Sequence, residues 1–154
     1  MADPTQPGYE FIAHLRVTLG TPIEVGDTPR GRHRIIPISG GAVAGPHLTG
    51  TVLPGGADWQ YIAPNGTTEV DARYTLDLGG VKVGVTSRGI RRGPKEALDR
   101  IAKGDRVDPA SYYFRTAIRF EAPAGKLNWM SESLFIAKAE RLASEVLIEV
   151  WRVL

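Results

Sequence analysis

Along most of the chain apolar and polar residues alternate with a period of two, the spacing of a strand that buries one face. Phe11, Ala13, Leu15, Val17 and Leu19 alternate with Ile12, His14, Arg16 and Thr18, which predicts a half-buried strand ended by Gly20-Thr21-Pro22. A loop rich in Gly, Pro and Asp follows to about Gly31. Residues 34–38 form a short apolar strand, and Pro37 inside it implies an edge or a bulge, because proline cannot donate to a ladder. Gly40-Gly41 turns the chain. Residues 47–53 are a further strand that Pro54-Gly55-Gly56 ends, residues 59–63 continue after that break, and Pro64-Asn65-Gly66 is a strong turn. Residues 68–76 alternate again, Gly79-Gly80 turns, and Val81, Val83 and Val85 line one face of the next strand. Residues 112–121 and 127–137 are strand-like, and residues 146–153 close the chain as a strand.

Helical spacing is rarer. Pro94 occupies a favoured first-turn position, Ala97, Leu98, Ile101 and Ala102 form an apolar stripe, and Gly104 is a natural stop. Residues 136–143 also carry helical propensity. About eight or nine short strands at hairpin spacing with one helix predict a mainly β architecture, an antiparallel barrel or sandwich rather than alternating βαβ units. The expected form is a closed or nearly closed barrel with the helix packed on or across one end. Residues 1–8 are polar and proline-rich and read as a loose lead-in, leaving residues 9–154 as a single domain without repeat or linker.

The length of 154 residues fits one domain, which buries roughly 68–70% of the surface its unfolded chain exposes. Hydrophobic residues at 42% and charged residues at 23% make the chain too apolar for disorder. Cysteine is absent, so there is neither a disulfide framework nor thiolate chemistry, as suits a reducing compartment. A net charge of +2 and a pI near 9.0 are too modest and too scattered to imply a nucleic-acid partner. The densest basic run, Arg88, Arg91 and Arg92 with Lys95 behind it, reads as a solvated turn and helix start. No apolar run approaches the ~18 residues of a membrane span, and no charged start precedes an apolar stretch, so a cytoplasmic protein without a membrane partner is expected. Asn65-Gly66-Thr67 fits a glycosylation pattern but is better read as a hairpin turn.

Several strings taken in order resemble one family. They are residues 31–41 (GRHRIIPISGG), 50–60 (GTVLPGGADWQ), 71–74 (DARY), 112–116 (YYFRT), Phe120-Glu121 and Asn128-Trp129. Together they are similar to domain-of-unknown-function family 3237, also called uncharacterised protein family 0311, over nearly the whole chain. The resemblance implies a calycin-like antiparallel barrel, often oligomeric, so a homo-oligomer is expected. It implies no agreed activity beyond small-molecule lyase or isomerase roles. Near residues 77–80 the resemblance leads one to expect an Asp-Gly turn, and near residues 137–141 a turn containing glycine. The chain has neither.

Three constellations could carry chemistry. Asp71 and Arg73 share one face of their strand, and Tyr113 and Arg115 share one face of theirs. If those faces line the barrel, two guanidiniums suited to bidentate recognition of a carboxylate or enolate meet a carboxylate and a phenol. If they do not, Asp71 or Glu121 with Arg73 or Arg115 forms an ion-pair network that holds strand register. Next, Asp58 and Trp59 follow a rigid glycine corner. Asp58 is the candidate general base and Trp59 a stacking wall, or else Asp58 satisfies turn amides and Trp59 is core. Trp129 is likewise a pocket wall or core. His14, His33 and His47 show no metal-ligand spacing, so no metal or other cofactor is expected. Nucleophile-elbow, phosphate-loop and dinucleotide fingerprints are absent.

The expected function is therefore a small-molecule barrel for an aromatic or carboxylate-bearing compound, acting as a cofactor-free isomerase, lyase or hydratase. In it Asp58 is the base, Arg73 and Arg115 stabilise the oxyanion, and Trp59, Asp71, Tyr113, Glu121 and Trp129 surround the ligand. A non-catalytic carrier and a structural module with a filled lumen are the alternatives.

Overall fold

The computed structural model describes residues 1–154. Its strands are β1 (Tyr9–Leu19), β2 (Ile23–Thr28), β3 (Gly31–Ala44), β4 (Thr49–Val52), β5 (Gly56–Ile62), β6 (Thr68–Leu78), β7 (Val81–Arg92), β8 (Tyr113–Glu121), β9 (Phe135–Arg141) and β10 (Glu145–Val153). The helices are α1 (Lys95–Ala102) and the single turn α2 (Asn128–Ser131). Neither is long and apolar enough to cross a membrane.

Every ladder is antiparallel. The order β1-β10-β9-β8-β7-β6 continues through β4 and β5 to β3, and β3 pairs back to β1, closing a barrel of eight staves. Two staves are broken. β3 takes β1 and then β2 along one edge, and β4 and β5 along the other. Pro37 sits where the neighbour on the first edge changes from β1 to β2, so its missing donor interrupts no continuous run.

Closure requires β1 and β3 to approach closely, and Gly41 permits it. Its φ is +147, and a Cβ there would run into the carbonyl oxygen of Arg16 on β1. Gly41→Ala is expected to destabilise the fold by about 1–3 kcal/mol, read as a lowered denaturant midpoint at unchanged slope.

The β6–β7 hairpin turns on Gly79 (φ 66) and Gly80 (φ 91), a pair of left-handed residues whose twist matches that of the strands. The Gly80 N–H donates to Asp77 Oδ1 at 2.7 Å. The glycine pair thus does the work of the expected Asp-Gly turn. Residues 137–141 contain no turn at all, because they lie within β9. Their helical propensity is overridden by ladders to β8 and β10, with Ala137 and Ala139 buried. Residues 127–131, expected as strand, instead begin with α2, which buries Met130.

The basic run also reads differently in three dimensions. β7 does not stop before it but continues to Arg92, so Arg88, Arg91 and Arg92 are strand residues with opposite facings. α1 follows at that end of the barrel with Ala97, Leu98 and Ile101 buried, and α2 follows β8 at the other end. Near α2 the core is aromatic, with Phe120 and Phe135 edge to face at 4.8 Å.

Candidate functional site

The pleat decides which side chains enter the lumen. On β6 the buried residues are Thr68, Val70, Tyr74, Leu76 and Leu78, which places Asp71 and Arg73 outside. On β8 the buried residues are Phe114, Thr116, Ile118 and Phe120, which places Tyr113, Arg115 and Glu121 outside. Arg73 and Arg115 therefore do not share a cavity with Asp58. Asp71 Oδ2 lies 3.3 Å from Arg73 Nη2 and its Oδ1 lies 3.2 Å from Arg88 Nε, an exposed network across the β6–β7 ladder.

Trp59 also faces outward, with the Arg73 guanidinium 5.5 Å above its ring. Tyr113 lies between Arg92 and Arg115 on the outer wall. Trp129 sits on α2, packed against Phe135, with the Arg152 guanidinium 5.3 Å from its ring. Of the site residues expected from sequence, Asp58 alone points into the barrel. The histidines stay outside: His33 stacks on Tyr61, His14 packs beside Phe11, and His47 lies 3.2 Å from Glu10. No group of three His, Asp or Glu side chains is placed to hold a metal.

Around Asp58 the lumen is polar. Asp58 Oδ1 accepts the Asp71 backbone N–H at 2.9 Å, and its Oδ2 accepts from Gln60 Nε2 at 2.7 Å. The other end of the Gln60 amide accepts from Arg34 Nε at 2.9 Å. β3 and β5 build this chain by register, since Arg34 lies opposite Gln60 and both face inward. One rung further, Thr68 on β6 lies opposite Arg91 on β7, and Arg91 lies opposite Phe114 on β8. Arg91 is only 5% exposed, and its Nε and Nη1 have no hydrogen-bond partner. Arg141 ends β9, its backbone N–H donating to the Tyr112 hydroxyl at 2.9 Å.

Arg34, Arg91 and Arg141 open onto a cavity of about 480 Å³ at the α1 end, whose outer wall is Leu98 and Ile101 of the helix. This lies within the ordinary size range of small-ligand sites. Asp58 lies beneath the arginine layer, off the cavity wall, and reaches it through Gln60 and Arg34.

Burial shapes the charges. Desolvation pushes the Asp58 carboxyl above the ordinary carboxylate value, against the downward pull of the Gln60 and Asp71 hydrogen bonds and of Arg91 and Arg34. Desolvation, helped by Arg141 and Arg34, lowers the Arg91 guanidinium to about 10, so it remains charged at neutral pH. Arg34 and Arg141 are lowered by the same cause. Burial and the nearby Asp58 raise the Tyr74 phenol, and its hydroxyl has no partner. Tyr74→Phe removes an unsatisfied buried group without opening a cavity. It is expected to leave stability unchanged or raise it by up to about 1 kcal/mol in urea denaturation.

The sequence matches the family described as "Protein of unknown function (DUF3237)" over residues 7–153. The chain belongs to this family. A UPF0311 protein of Bradyrhizobium diazoefficiens is 41% identical over 146 residues, covering 94% of this chain and 95% of the relative. The crystal structure of RPA1785 from Rhodopseudomonas palustris, a conserved protein of unknown function, superposes with TM-score 0.92 at 38% identity, covering 98% of this chain and 99% of that one. A β-barrel-like protein from Acinetobacter baumannii superposes over all of both chains with TM-score 0.87 at 32% identity. An enzyme from Penicillium herquei shares the fold at TM-score 0.76 and 21% identity, over 100% of this chain and 99% of that one. The barrel fold is thus shared with solved relatives.

Four residues of this polar lumen, Arg34, Gln60, Arg91 and Arg141, were given no site role from the sequence. A signal for Arg91 exists in the sequence. Stepping by two from Val81, Val83 and Val85 passes Ser87 and Gly89 and lands on Arg91.

Proposed function

We propose that the barrel binds a small organic acid in the cavity at its α1 end, with Arg34, Arg91 and Arg141 holding the anionic oxygens. We propose further that it performs a cofactor-free proton transfer of the isomerase, lyase or hydratase kind. One observation carries the binding: a buried guanidinium on a rigid strand with two nitrogens unpartnered. Leaving a charge buried and unmatched is costly, and an anion in the cavity that Arg91 lines offsets that charge. Desolvated Asp58 is the base in this reading, and it acts only on a substrate that reaches below the arginine layer, since it lies off the cavity wall. A raised pKa makes its carboxylate a better proton acceptor from carbon, and the arginines stabilise the enolate oxygen that develops as the proton leaves. The Penicillium herquei protein is described as an enzyme, so in that chain this type of barrel carries catalysis.

A thermal-shift screen of aromatic carboxylic and keto acids, run in parallel on Arg91→Gln, tests the binding. Wild type is expected to gain apparent stability with ligand by mass action, about 2.7 kcal/mol at a hundredfold excess over Kd, and the variant is not. Equal responses would remove Arg91 from the site.

A non-catalytic carrier is the alternative, favoured by the position of Asp58 off the cavity wall. Deuterium exchange into the α-carbon of a bound keto acid separates the two. The enzyme exchanges and loses exchange in Asp58→Asn, whereas the carrier exchanges in neither.

A further inference from the structure

We infer that the ligand of the lumen cavity is a dianion, a small molecule presenting two negative charges to the arginine layer. This rests on the proposal that the cavity is the ligand site, and it comes from the charges around it. Arg34, Arg91 and Arg141 converge on the cavity, and Asp58 beneath them is the one inward carboxylate they feel. Asp99 also lines the cavity but pairs with Lys95, and Arg32 and Lys103 add further positive charge to the lining. The nearby Glu24 pairs with Arg32, Glu140 with Arg106, and Glu145 with Arg16. Tyr74 and Tyr112 are held neutral by burial. Buried Arg91 and half-buried Arg34 and Arg141 therefore face Asp58 with an excess of two positive charges.

The hydrogen-bond inventory points the same way. Arg34 commits Nε to Gln60, and Arg141 commits Nη1 to the Glu145 carbonyl, leaving the remaining nitrogens of each side chain to other acceptors. Arg91 adds a third guanidinium to the cavity lining, and the three side chains together carry more donors than one carboxylate with two oxygens can accept. Two carboxylates on one scaffold, or one phosphate monoester, match both the charge and the count. The rigid strand positions of the three arginines favour planar, bidentate partners over a diffuse counter-ion.

Isothermal titration of the full chain at pH 7.5 and low salt with benzoate, isophthalate and phenyl phosphate tests this, since the three share an aromatic body and differ in charge. At least one dianion is expected to bind about tenfold or more tightly than benzoate. Isophthalate ahead of phenyl phosphate assigns a dicarboxylate, and the reverse order assigns a phosphate monoester. Arg141→Gln, or Arg34→Gln should the first variant not fold, is expected to shrink that preference to about threefold or less, because the excess then falls to one charge. Benzoate binding as tightly as both dianions overturns the dianion and leaves the acid-binding cavity standing. Failure of all three to bind, with no thermal shift from any acid in the wider screen, overturns the cavity as the ligand site and the dianion with it.

Discussion

Replacing Arg91 with methionine is expected to raise the stability of the ligand-free protein by about 1–4 kcal/mol while abolishing its response to acids. Arg91 is 5% exposed and has two nitrogens without partners, so folding strips its hydration and returns little. The nearest compensation is weak. Asp58 already has two other donors, and the Phe114 ring lies 5.5 Å below the guanidinium. Methionine follows the same unbranched course, keeps contact with Phe114 and carries no charge to desolvate. Removing Arg91 also relieves its repulsion by Arg34 and Arg141. In a domain of this size the gain corresponds to a rise in Tm of roughly 2–4 °C per kcal/mol. Chemical denaturation without ligand and thermal shift with ligand report the two halves separately. A clear loss of stability in Arg91→Met would mean that the cavity gives the bare guanidinium its acceptors without any ligand.

The second large effect concerns Asp58 and depends on the direction of its hydrogen bonds. Asp58 accepts from two N–H donors, Gln60 donates to it, and Gln60 then accepts from Arg34. In Asp58→Asn the new amide can keep the bond from Asp71 only by turning its NH₂ toward Gln60. Gln60 must then flip and present its own NH₂ to Arg34, so two donors face each other. The substitution is expected to cost about 1–3 kcal/mol from that broken bond and to reduce proton exchange by about 10²–10⁴. The double variant Asp58→Asn with Gln60→Glu restores donor-to-acceptor order along the chain and keeps the total charge, but moves the carboxylate by two residues. It is expected to recover the stability and not the exchange. Recovery of both would show that Asp58 serves the network and is not the base.

The same carboxyl gives a pH dependence with a defined sign. Because its folded pKa is raised, the folded protein holds the Asp58 proton more tightly than the unfolded chain does. The stabilisation is complete below the ordinary carboxylate value and is lost as pH rises through the raised one. Wild type should therefore lose stability relative to Asp58→Asn as pH climbs from that ordinary value, in denaturation curves collected on both proteins.

Much of the barrel was legible because strand alternation is a local signal. β1, β6 and β8 lie close to where period two puts them, and Gly79-Gly80 and Asn65-Gly66 turn as their backbone freedom predicts. What failed was the facing of polar residues. Asp71, Arg73, Tyr113 and Arg115 drew attention because they carry chemistry, yet the apolar residues between them, Val70, Tyr74, Phe114 and Ile118, had already claimed the inner face. Arg91 was passed over for the opposite reason, since a dense basic run looks like solvated surface. Arg34 and Arg141 needed the closed barrel itself, because only the ladders bring the start of β3 and the end of β9 to one cavity. α2 escaped notice because a single helical turn of four residues leaves no periodicity to read.

β7 runs without a bulge from Val81 to Arg92, and one face of it carries both the core valines and Arg91. Fold and site are therefore ruled by a single count of odd and even. One residue inserted between Val85 and Arg91 would send the arginine into solvent and bring Ile90 into the arginine's place. Two residues inserted would keep the facing and move the charge along the strand by about 6–7 Å. Length changes in this strand come in pairs or are lost, and a redesigner seeking a deeper or shallower pocket has that step size available and no finer one.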